Sequence, residues 1–170
     1  MKIVPAQKTD LASIMKAIKC AQKYLAGLGI DQWQDGYPNE EIILKDIQNK
    51  ESYLVINENN ECIGTTMFSL RLEPTYNIIE GNWLTEGLVK YGVIHRMAVD
   101  DQFRSSGFSR FVFDYFENLL IEKGIISMRI DTHEDNQVMQ GLLKKRGYHY
   151  CGIIYLESGS KRLAFEKLLS

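Results

Sequence analysis

The sequence feature that most narrows the choice of fold is an apolar strand that leads through a small-residue loop into a long amphipathic helix. Apolar residues dominate 92–99, a polar turn covers 100–103, and the loop Arg104-Ser105-Ser106-Gly107-Phe108-Ser109 follows. The helix after this loop repeats large apolar side chains every three or four positions as far as Gly124. The first N–H groups of a helix have no partner within it and carry partial positive charge. The junction therefore predicts an anion site, and a phosphate group is its simplest occupant.

The remaining sequence predicts an α+β fold in one domain that covers residues 1–170. Strands are predicted at 2–6, 53–56, 62–70, 92–99, 127–131, 148–156 and 162–168. Helices are predicted to begin after Thr9 or Asp10, after Asn39, at the glycine loop and after Asp135. The order β-α-α-β-β-β-α-β-α-β-β indicates a mixed, mostly antiparallel sheet flanked by helices. Residues 71–90 show no clear hydrophobic period, which predicts a long loop or a short excursion, and long loops are usually functional or mobile.

Two helices have apolar patterns clear enough to predict which side chains they bury. The predicted buried face of the longer helix consists of Phe108, Phe111, Val112, Tyr115, Phe116, Leu119 and Leu120. The helix that Asp135 is predicted to cap should turn Val138, Met139, Leu142 and Leu143 inward. Lys144, Lys145 and Arg146 suit its last turn, and Gly147 suits its exit.

Composition indicates an ordinary soluble domain with no affinity for nucleic acid or membranes. The chain is 45% apolar and 25% charged, with a formal net charge of −2. No apolar run approaches the roughly 20 residues of a membrane helix, and the N-terminus lacks the pattern of a secretory signal. The three cysteines, Cys20, Cys62 and Cys151, lie far apart, so neither a disulfide framework nor a metal site is predicted. A reducing, cytoplasmic setting is the simplest interpretation.

Two motifs resemble those of the GNAT superfamily of acyl-CoA-dependent N-acyltransferases. Residues 104–109 resemble the family pattern Q/R-x-x-G-x-G/A, with serine as the last small residue, and residues 94–99 resemble the strand that precedes it. Residues 136–148 resemble N-x-x-A-x-x-L-Y-x-x-x-G-F, in which Asn136, Leu142 and Gly147 agree. Leu143 stands where many members carry a tyrosine proposed as the general acid, so that role does not transfer to this position.

The resemblance implies a three-layer fold and acetyl-CoA as the co-substrate. In members of the family, the main chain of the strand pairs with the pantetheine arm, and an N–H near Met97 would polarise the thioester carbonyl. The acceptor would be an amine of a small molecule or peptide, and since many relatives are dimers, a homodimer is compatible with the resemblance. The residues expected to bind acetyl-CoA are Met97, Ala98, Val99, Arg104, Ser105, Ser106, Gly107, Phe108, Ser109 and Asn136.

His95 and Glu80 are the candidate catalytic residues. His95 lies in the strand before the loop, and imidazole ordinarily titrates in a range suited to taking a proton from an amine. A core histidine with a hydrogen-bonded neighbour explains this position equally well. Glu80 stands close to Trp83 in the sequence, and Glu73 and Glu86 are further acidic candidates. Each of these carboxylates is also explained as a solvated loop residue.

Aromatic residues on two polar loops are the candidates for acceptor binding. Aromatic rings line small-molecule sites and can hold cationic amines. For each ring, anchoring of the loop onto the core is at least as good an explanation. The predicted acceptor-binding residues are Trp33, Tyr37 and Trp83, with Tyr76 in the same aromatic set.

Two other classes of function stay open from the sequence. A non-catalytic acyl-CoA-binding sensor with this fold would bind the coenzyme without turnover, and the leucine at position 143 keeps this alternative open. A nucleotide-binding regulatory domain would also use a phosphate site at a helix end. The absence of G-x-x-x-x-G-K-S/T argues against a nucleotide triphosphatase.

Overall fold

The computed structural model describes residues 1–87 and 89–170, and these residues form an eight-stranded sheet and four α-helices. The strands are β1 Lys2–Pro5, β2 Ser52–Ile56, β3 Cys62–Ser69, β4 Glu80–Gly81, β5 Gly92–Val99, β6 Ser127–Thr132, β7 His149–Tyr155 and β8 Lys161–Leu168. The helices are α1 Leu11–Gly27, α2 Glu40–Gln48, α3 Phe108–Glu122 and α4 Gln137–Lys145. None of the helices in this described part combines the length and apolarity needed to cross a bilayer.

The sheet is mixed and mostly antiparallel, with strand order β1-β2-β3-β5-β6-β8-β7-β4. The β1–β2, β2–β3, β6–β8, β7–β8 and β4–β7 pairs are antiparallel. The β5–β6 pair is parallel, with Gly92 opposite Met128 and Val93 opposite Arg129. The prediction of an α+β fold with a mixed sheet flanked by helices is therefore confirmed.

The described chain forms two compact units. The first comprises Met1–Phe68 and Ile94–Tyr115, and the second comprises Ser69–Val93 and Phe116–Ser170. The single domain predicted over residues 1–170 stays a prediction.

The core of the first unit forms where the apolar face of α1 packs with side chains of α2, β2 and β5. As predicted, Asn39 caps α2, because its Oδ1 accepts the N–H of Ile42 at 3.0 Å. Partly buried side chains, among them Trp33, pack against this cluster. The buried residues of the cluster are Ile14, Met15, Ala17, Ile18, Ile43, Leu54 and Ala98.

The second unit contains a strand that the sequence did not predict. β4 is only two residues long, and Glu80 and Gly81 pair with Ile153 and Gly152 of β7. A Cβ added at Gly81 would lie 2.1 Å from the carbonyl oxygen of Cys151, so the two strands approach at a distance that only glycine allows. A strand of two residues has no hydrophobic period to detect, so the prediction for 71–90, a long loop or a short excursion, did not include it. Residue 88 of that loop lies outside the described residues.

The predicted helix faces are partly wrong. In α3, Tyr115 is 41% exposed, whereas Phe113 and Glu117 are buried, so the buried arc is rotated around the helix from the predicted stripe. α4 begins one residue later than predicted, because Asn136 and not Asp135 is its N-cap and accepts the N–H of Met139. Of the four side chains predicted to face inward, Leu143 is buried and Met139 and Leu142 are partly buried, whereas Val138 is 60% exposed and Gln140 is buried in addition.

Candidate functional site

The glycine loop joins β5 to α3 at the surface of the first unit. A 3-10 turn, Asp101–Phe103, comes first, and the N–H of Ser106 then donates to the carbonyl oxygen of Phe103 at 3.0 Å. Residues 104–107 are exposed, and Phe108 is buried at the start of α3. The first N–H groups of an α-helix have no acceptor within the helix. At this end of α3 they accompany an exposed loop, which is the arrangement that an anion-binding helix N-terminus requires.

Gly107 is needed in this loop for its backbone conformation. Its φ is +81°, in the left-handed region that side chains disfavour. A Cβ added there would meet no atom within 4 Å, so the surface beside it is open. The main chain at Gly107 is therefore accessible to a ligand from that side.

The arginines of the loop and of the first helical turn form ion pairs at the surface. Arg104 donates from Nε to Asp101 at 2.9 Å, and its guanidinium lies 4.2 Å above the ring of Tyr24. Arg110 pairs with Asp114 at 3.5 Å along α3. Exposed pairs of this kind contribute about 0–1 kcal/mol each. Both cations could consequently change partner for a bound anion at little cost.

Asp100 fixes the turn that leads into the loop. Lys16 of α1 lies 2.6 Å from its carboxylate, and the N–H of Gln102 donates to Oδ1 at 3.1 Å. The hydrogen bond from Lys16 and that from Gln102 hold the pKa of the Asp100 carboxyl below its ordinary value. The start of the loop is thus tied to α1.

Arg96 gives β5 an irregular backbone directly beside the candidate base. Its φ is +51° in the middle of an otherwise extended strand. Its side chain contacts Asp46 of α2 through Nε at 2.7 Å and Nη2 at 2.9 Å, and Nη1 donates to the hydroxyl of Tyr37. Burial raises the pKa of Asp46, and the attraction of Arg96 offsets only part of that rise. Burial lowers the pKa of Arg96, but contacts with Tyr37 and Asp46 outweigh it and raise the pKa overall.

Gly64 is a functional position that the sequence analysis missed. A Cβ added to this residue of β3 would lie 2.4 Å from the carbonyl oxygen of Ala98 and 2.7 Å from the ring of Phe108. Gly64 therefore allows β5 and the first residue of α3 to take their positions around the loop. The available sequence signal was an isolated glycine inside a strand, which often marks a close approach of this kind.

Most of the predicted coenzyme site belongs to the first unit. Met97 and Val99 are partly buried in β5, Ala98 is buried between them, and residues 104–109 follow in the same unit. His95 is partly buried in the same strand. The predicted acceptor residues Trp33 and Tyr37 also lie in this unit, Trp33 against its core and Tyr37 bonded to Arg96.

The other predicted site residues belong to the second unit, where each has a contact of its own. Glu80 is exposed, and its carboxylate accepts the hydroxyl of Tyr155 at 3.1 Å. The indole N–H of Trp83 donates to the carbonyl oxygen of Tyr76 at 3.0 Å, and the guanidinium of Arg129 lies 4.2 Å above its ring. These contacts are those of a ring that anchors its loop.

The second unit also holds the position at which many family members carry the tyrosine acid. Leu143 is fully buried in α4 and offers no proton. The nearby Tyr148 is buried as well and donates to Glu117 at 3.0 Å. Burial raises the pKa of Tyr148 well above the usual value, with the charge of Glu117 as the second cause. Across residues 1–87 and 89–170, no group of three His, Cys, Asp or Glu side chains is placed to hold a metal ion.

Fold and loop together define an acetyltransferase-type domain, and comparison with known proteins gives its family. The chain matches the model of the acetyltransferase (GNAT) family over residues 17–148. This match covers well over half of the chain, and the chain belongs to the GNAT family. No match was found among the curated proteins that were searched.

Solved structures of acetyltransferases share the fold over nearly the whole chain. A GNAT-family acetyltransferase from Streptococcus agalactiae is 34% identical, with a TM-score of 0.85 and coverage of 99% of this chain and 95% of that one. A GNAT-family acetyltransferase from Listeria monocytogenes is 20% identical, with a TM-score of 0.76 and coverage of 99% and 94%. The NatB acetyltransferase complex bound to CoA is 16% identical, with a TM-score of 0.68 and full coverage of both chains. The last two likenesses are evidence for the fold alone.

Proposed function

We propose that this protein transfers an acetyl group from acetyl-CoA to a primary amine of a small molecule or peptide. The observation that carries the proposal is the exposed loop at the N-terminus of α3, where Gly107 keeps the main chain open to a diphosphate. Membership of the GNAT family supports acetyl transfer, and the CoA-bound NatB structure with the same fold supports the coenzyme. The cytoplasmic setting and the homodimer expected from the sequence belong to the same proposal.

The coenzyme would be held mainly by main-chain groups of the first unit. In this proposal the N–H groups of residues 105–109 bind the diphosphate, and Arg104 adds positive charge. The main chain of residues 97–99 would pair with the pantetheine arm in the manner of an added strand. Asn136 stays a candidate through its side-chain amide, although its Oδ1 already caps α4.

The proposed reaction is a direct attack of the amine on the thioester in a ternary complex. The acceptor ammonium first loses a proton, and we propose His95 as the group that takes it. The N–H of Met97 would stabilise the oxyanion that forms, a contribution often of about 3 kcal/mol. Attack leaves the amine nitrogen positively charged, and collapse of the tetrahedral intermediate breaks the C–S bond and releases CoA as the thiolate. The nitrogen gives up its extra proton to form the neutral amide, and the thiolate takes up one proton to become the thiol, so the protons balance.

Glu80 is the second candidate for the base. It is exposed on β4, and it accepts a hydrogen bond from Tyr155. A carboxylate in such a position can also bind the ammonium of an acceptor or act through a water molecule.

The test of the proposed function is an acceptor screen that follows release of free thiol, repeated across pH with His95→Ala. We expect the variant to lose about 100-fold in kcat, since removal of a general base commonly costs on the order of 10²–10⁴. Glu80→Gln in the same screen is the comparison variant for the alternative base. Full activity of His95→Ala at every pH would exclude His95 as the base.

A non-catalytic acyl-CoA sensor is the second candidate function. It is favoured by Leu143, because this buried apolar side chain cannot act as an acid at the position where many family members carry tyrosine. The same screen separates the two functions. A sensor would bind acetyl-CoA and release no thiol with any amine, whereas the proposed enzyme releases thiol with at least one.

A further inference from the structure

The starting observation is the backbone of Arg96. It lies between His95 and Met97 in β5 and has a φ of +51°. A left-handed conformation at a non-glycine residue costs conformational energy, and it persists only where the surroundings hold it in place. Such residues cluster at functional sites, so the contacts that hold this one are of interest.

The strongest of these contacts is a buried, two-bond ion pair with Asp46. Asp46 is 5% exposed, and the side chain of Arg96 is 12% exposed. Nε and Nη2 reach different oxygens of the carboxylate, at 2.7 and 2.9 Å. Burial of charges is costly unless the pairing geometry is good, and this fork-to-fork geometry satisfies that condition. The pair joins α2 to the irregular point of β5.

The third hydrogen bond of the Arg96 side chain goes to the hydroxyl of Tyr37. Nη1 donates to it, and the guanidinium lies 5.9 Å from the centre of the ring. The main chain of Tyr37 is held independently, because Gln22 of α1 donates to its carbonyl oxygen at 3.1 Å. The Tyr37 hydroxyl thus joins the 29–38 loop, which also carries Trp33, to Arg96 of β5.

We propose that Asp46, Arg96 and Tyr37 form a positioning clamp that fixes the 29–38 loop against β5 and so sets how the amine acceptor is bound. The inference rests on the proposed function, because it assigns the loop to the acceptor and the strand to His95 and Met97. All three guanidinium nitrogens of Arg96 donate hydrogen bonds within the clamp. Its role is therefore to position other groups and not to contact the reacting atoms. Loss of the clamp should weaken use of the amine and leave use of acetyl-CoA intact.

Tyr37→Phe is the sharpest test, because it removes one hydroxyl and leaves the buried ion pair intact. With the best amine from the acceptor screen, we expect its KM to rise about tenfold, since hydrogen bonds to charged groups are among the stronger ones. The KM for acetyl-CoA should change by less than about twofold, because the Asp46–Arg96 ion pair that holds β5 beside residues 97–99 stays in place in this variant. Arg96→Lys keeps the charge but loses the planar fork that reaches Asp46 through two nitrogens and Tyr37 through the third, so it should raise the KM for the amine as well.

A second readout needs no turnover. In a Trp83→Phe background Trp33 is the sole tryptophan, and it reports on the 29–38 loop. Adding Tyr37→Phe should shift its emission to longer wavelength and increase quenching by acrylamide. Asp10→Asn is the matched control, because it alters a carboxylate of the same unit that bonds only locally, to the N–H of Gln7. This control should leave both the emission and the quenching unchanged.

The outcomes separate the clamp from the proposed function. If the wild-type protein releases no thiol with any amine, the proposed function fails, and the fluorescence of Trp33 still decides whether the clamp exists. If turnover is normal and Tyr37→Phe leaves both the amine KM and the Trp33 emission unchanged, the clamp is refuted. Equal rises in the KM for the amine and for acetyl-CoA would also refute it, since they would indicate general loosening of the unit.

Discussion

At the scale of single residues, the account depends most on Gly107. Its left-handed backbone makes any side chain unfavourable, by roughly 1 kcal/mol. Because a Cβ at Gly107 would meet no atom within 4 Å, a side chain there would cost backbone conformational energy but would not clash with the protein. A side chain there would, however, project into the surface that we assign to the diphosphate. The effect on stability and the effect on binding can therefore be separated.

Gly107→Glu, compared with the same substitution at Gly159, separates the effect on stability from the effect on acetyl-CoA binding. Gly159 has nearly the same backbone, with a φ of +82°, and also meets nothing within 4 Å. We expect Gly107→Glu and Gly159→Glu each to lower the free energy of unfolding by about 1 kcal/mol in urea titrations. Saturating acetyl-CoA, at about 100 times its Kd, should restore about 2.7 kcal/mol to the Gly159 variant and nothing to the Gly107 variant. Equal stabilisation of both variants would contradict the assignment of the loop.

The sequence was sufficient to predict features that depend only on residues a few positions apart, such as helix caps. The Asn39 cap and the left-handed Gly107 and Gly147 follow from short-range rules for helix ends. The clamp could not be predicted, because Asp46 and Arg96 are separated by fifty positions and meet only in the tertiary structure. Trp33 packs against the core and Trp83 bonds to its own loop, as the anchoring hypothesis predicts, and acceptor binding by these rings stays a prediction.

At the scale of elements, Glu166 of β8 organises the second unit. It is fully buried and accepts hydrogen bonds from Ser127 and Arg129 of β6 and from the N–H groups of Leu84 and Thr85. Burial alone would raise the pKa of Glu166, but hydrogen bonds from Ser127 and Thr85 and the charge of Arg129 hold it below the ordinary 4.5. The carboxylate thereby fastens the segment after β4 to two strands.

This lowered pKa predicts a specific pH dependence of stability. Because the folded pKa of Glu166 lies below the unfolded one, its contribution is fully present above about pH 4.5 and is lost as the pH falls through the folded value. Glu166→Gln should lower the free energy of unfolding at pH 7 by about 3 kcal/mol, since it leaves Arg129 buried without its partner. Urea titrations between pH 7 and pH 3 should show a smaller loss on acidification for the variant than for wild type. Parallel curves would contradict this role for Glu166.

Helices and strands with a clear hydrophobic pattern could be predicted from the sequence. Elements that depend on tertiary contacts could not. β5 has the predicted bounds, because a continuous apolar run between polar turns marks a buried strand. β4 was missed because two glycines facing each other, and not a side-chain pattern, create it. In α4 the sequence misassigned Val138, which is exposed, and missed Gln140, which is buried because its amide donates to the carbonyl oxygen of Glu134 at 2.7 Å.

At the scale of the whole molecule, the sequence predicted the family and the fold but leaves the acceptor to experiment. Two motifs in the right order were enough, since the family match spans residues 17–148 and the fold extends over 99% of the chain in the Streptococcus agalactiae structure. In the proposed function the acceptor is selected by loops, and the contacts of Arg96 and Glu166 show that such segments are held by residues distant in the sequence. Loop composition does not determine such contacts, so the identity of the amine could not be read from the sequence.

The central claim is that the main chain around Gly107 binds the diphosphate of acetyl-CoA, and calorimetric titration of the wild-type protein tests it most directly. We predict saturable, one-to-one binding of acetyl-CoA and no comparable binding of ATP at the same concentrations. Absence of heat and of any stabilisation at saturating acetyl-CoA would contradict the account, and so would binding of ATP that is as tight as that of acetyl-CoA.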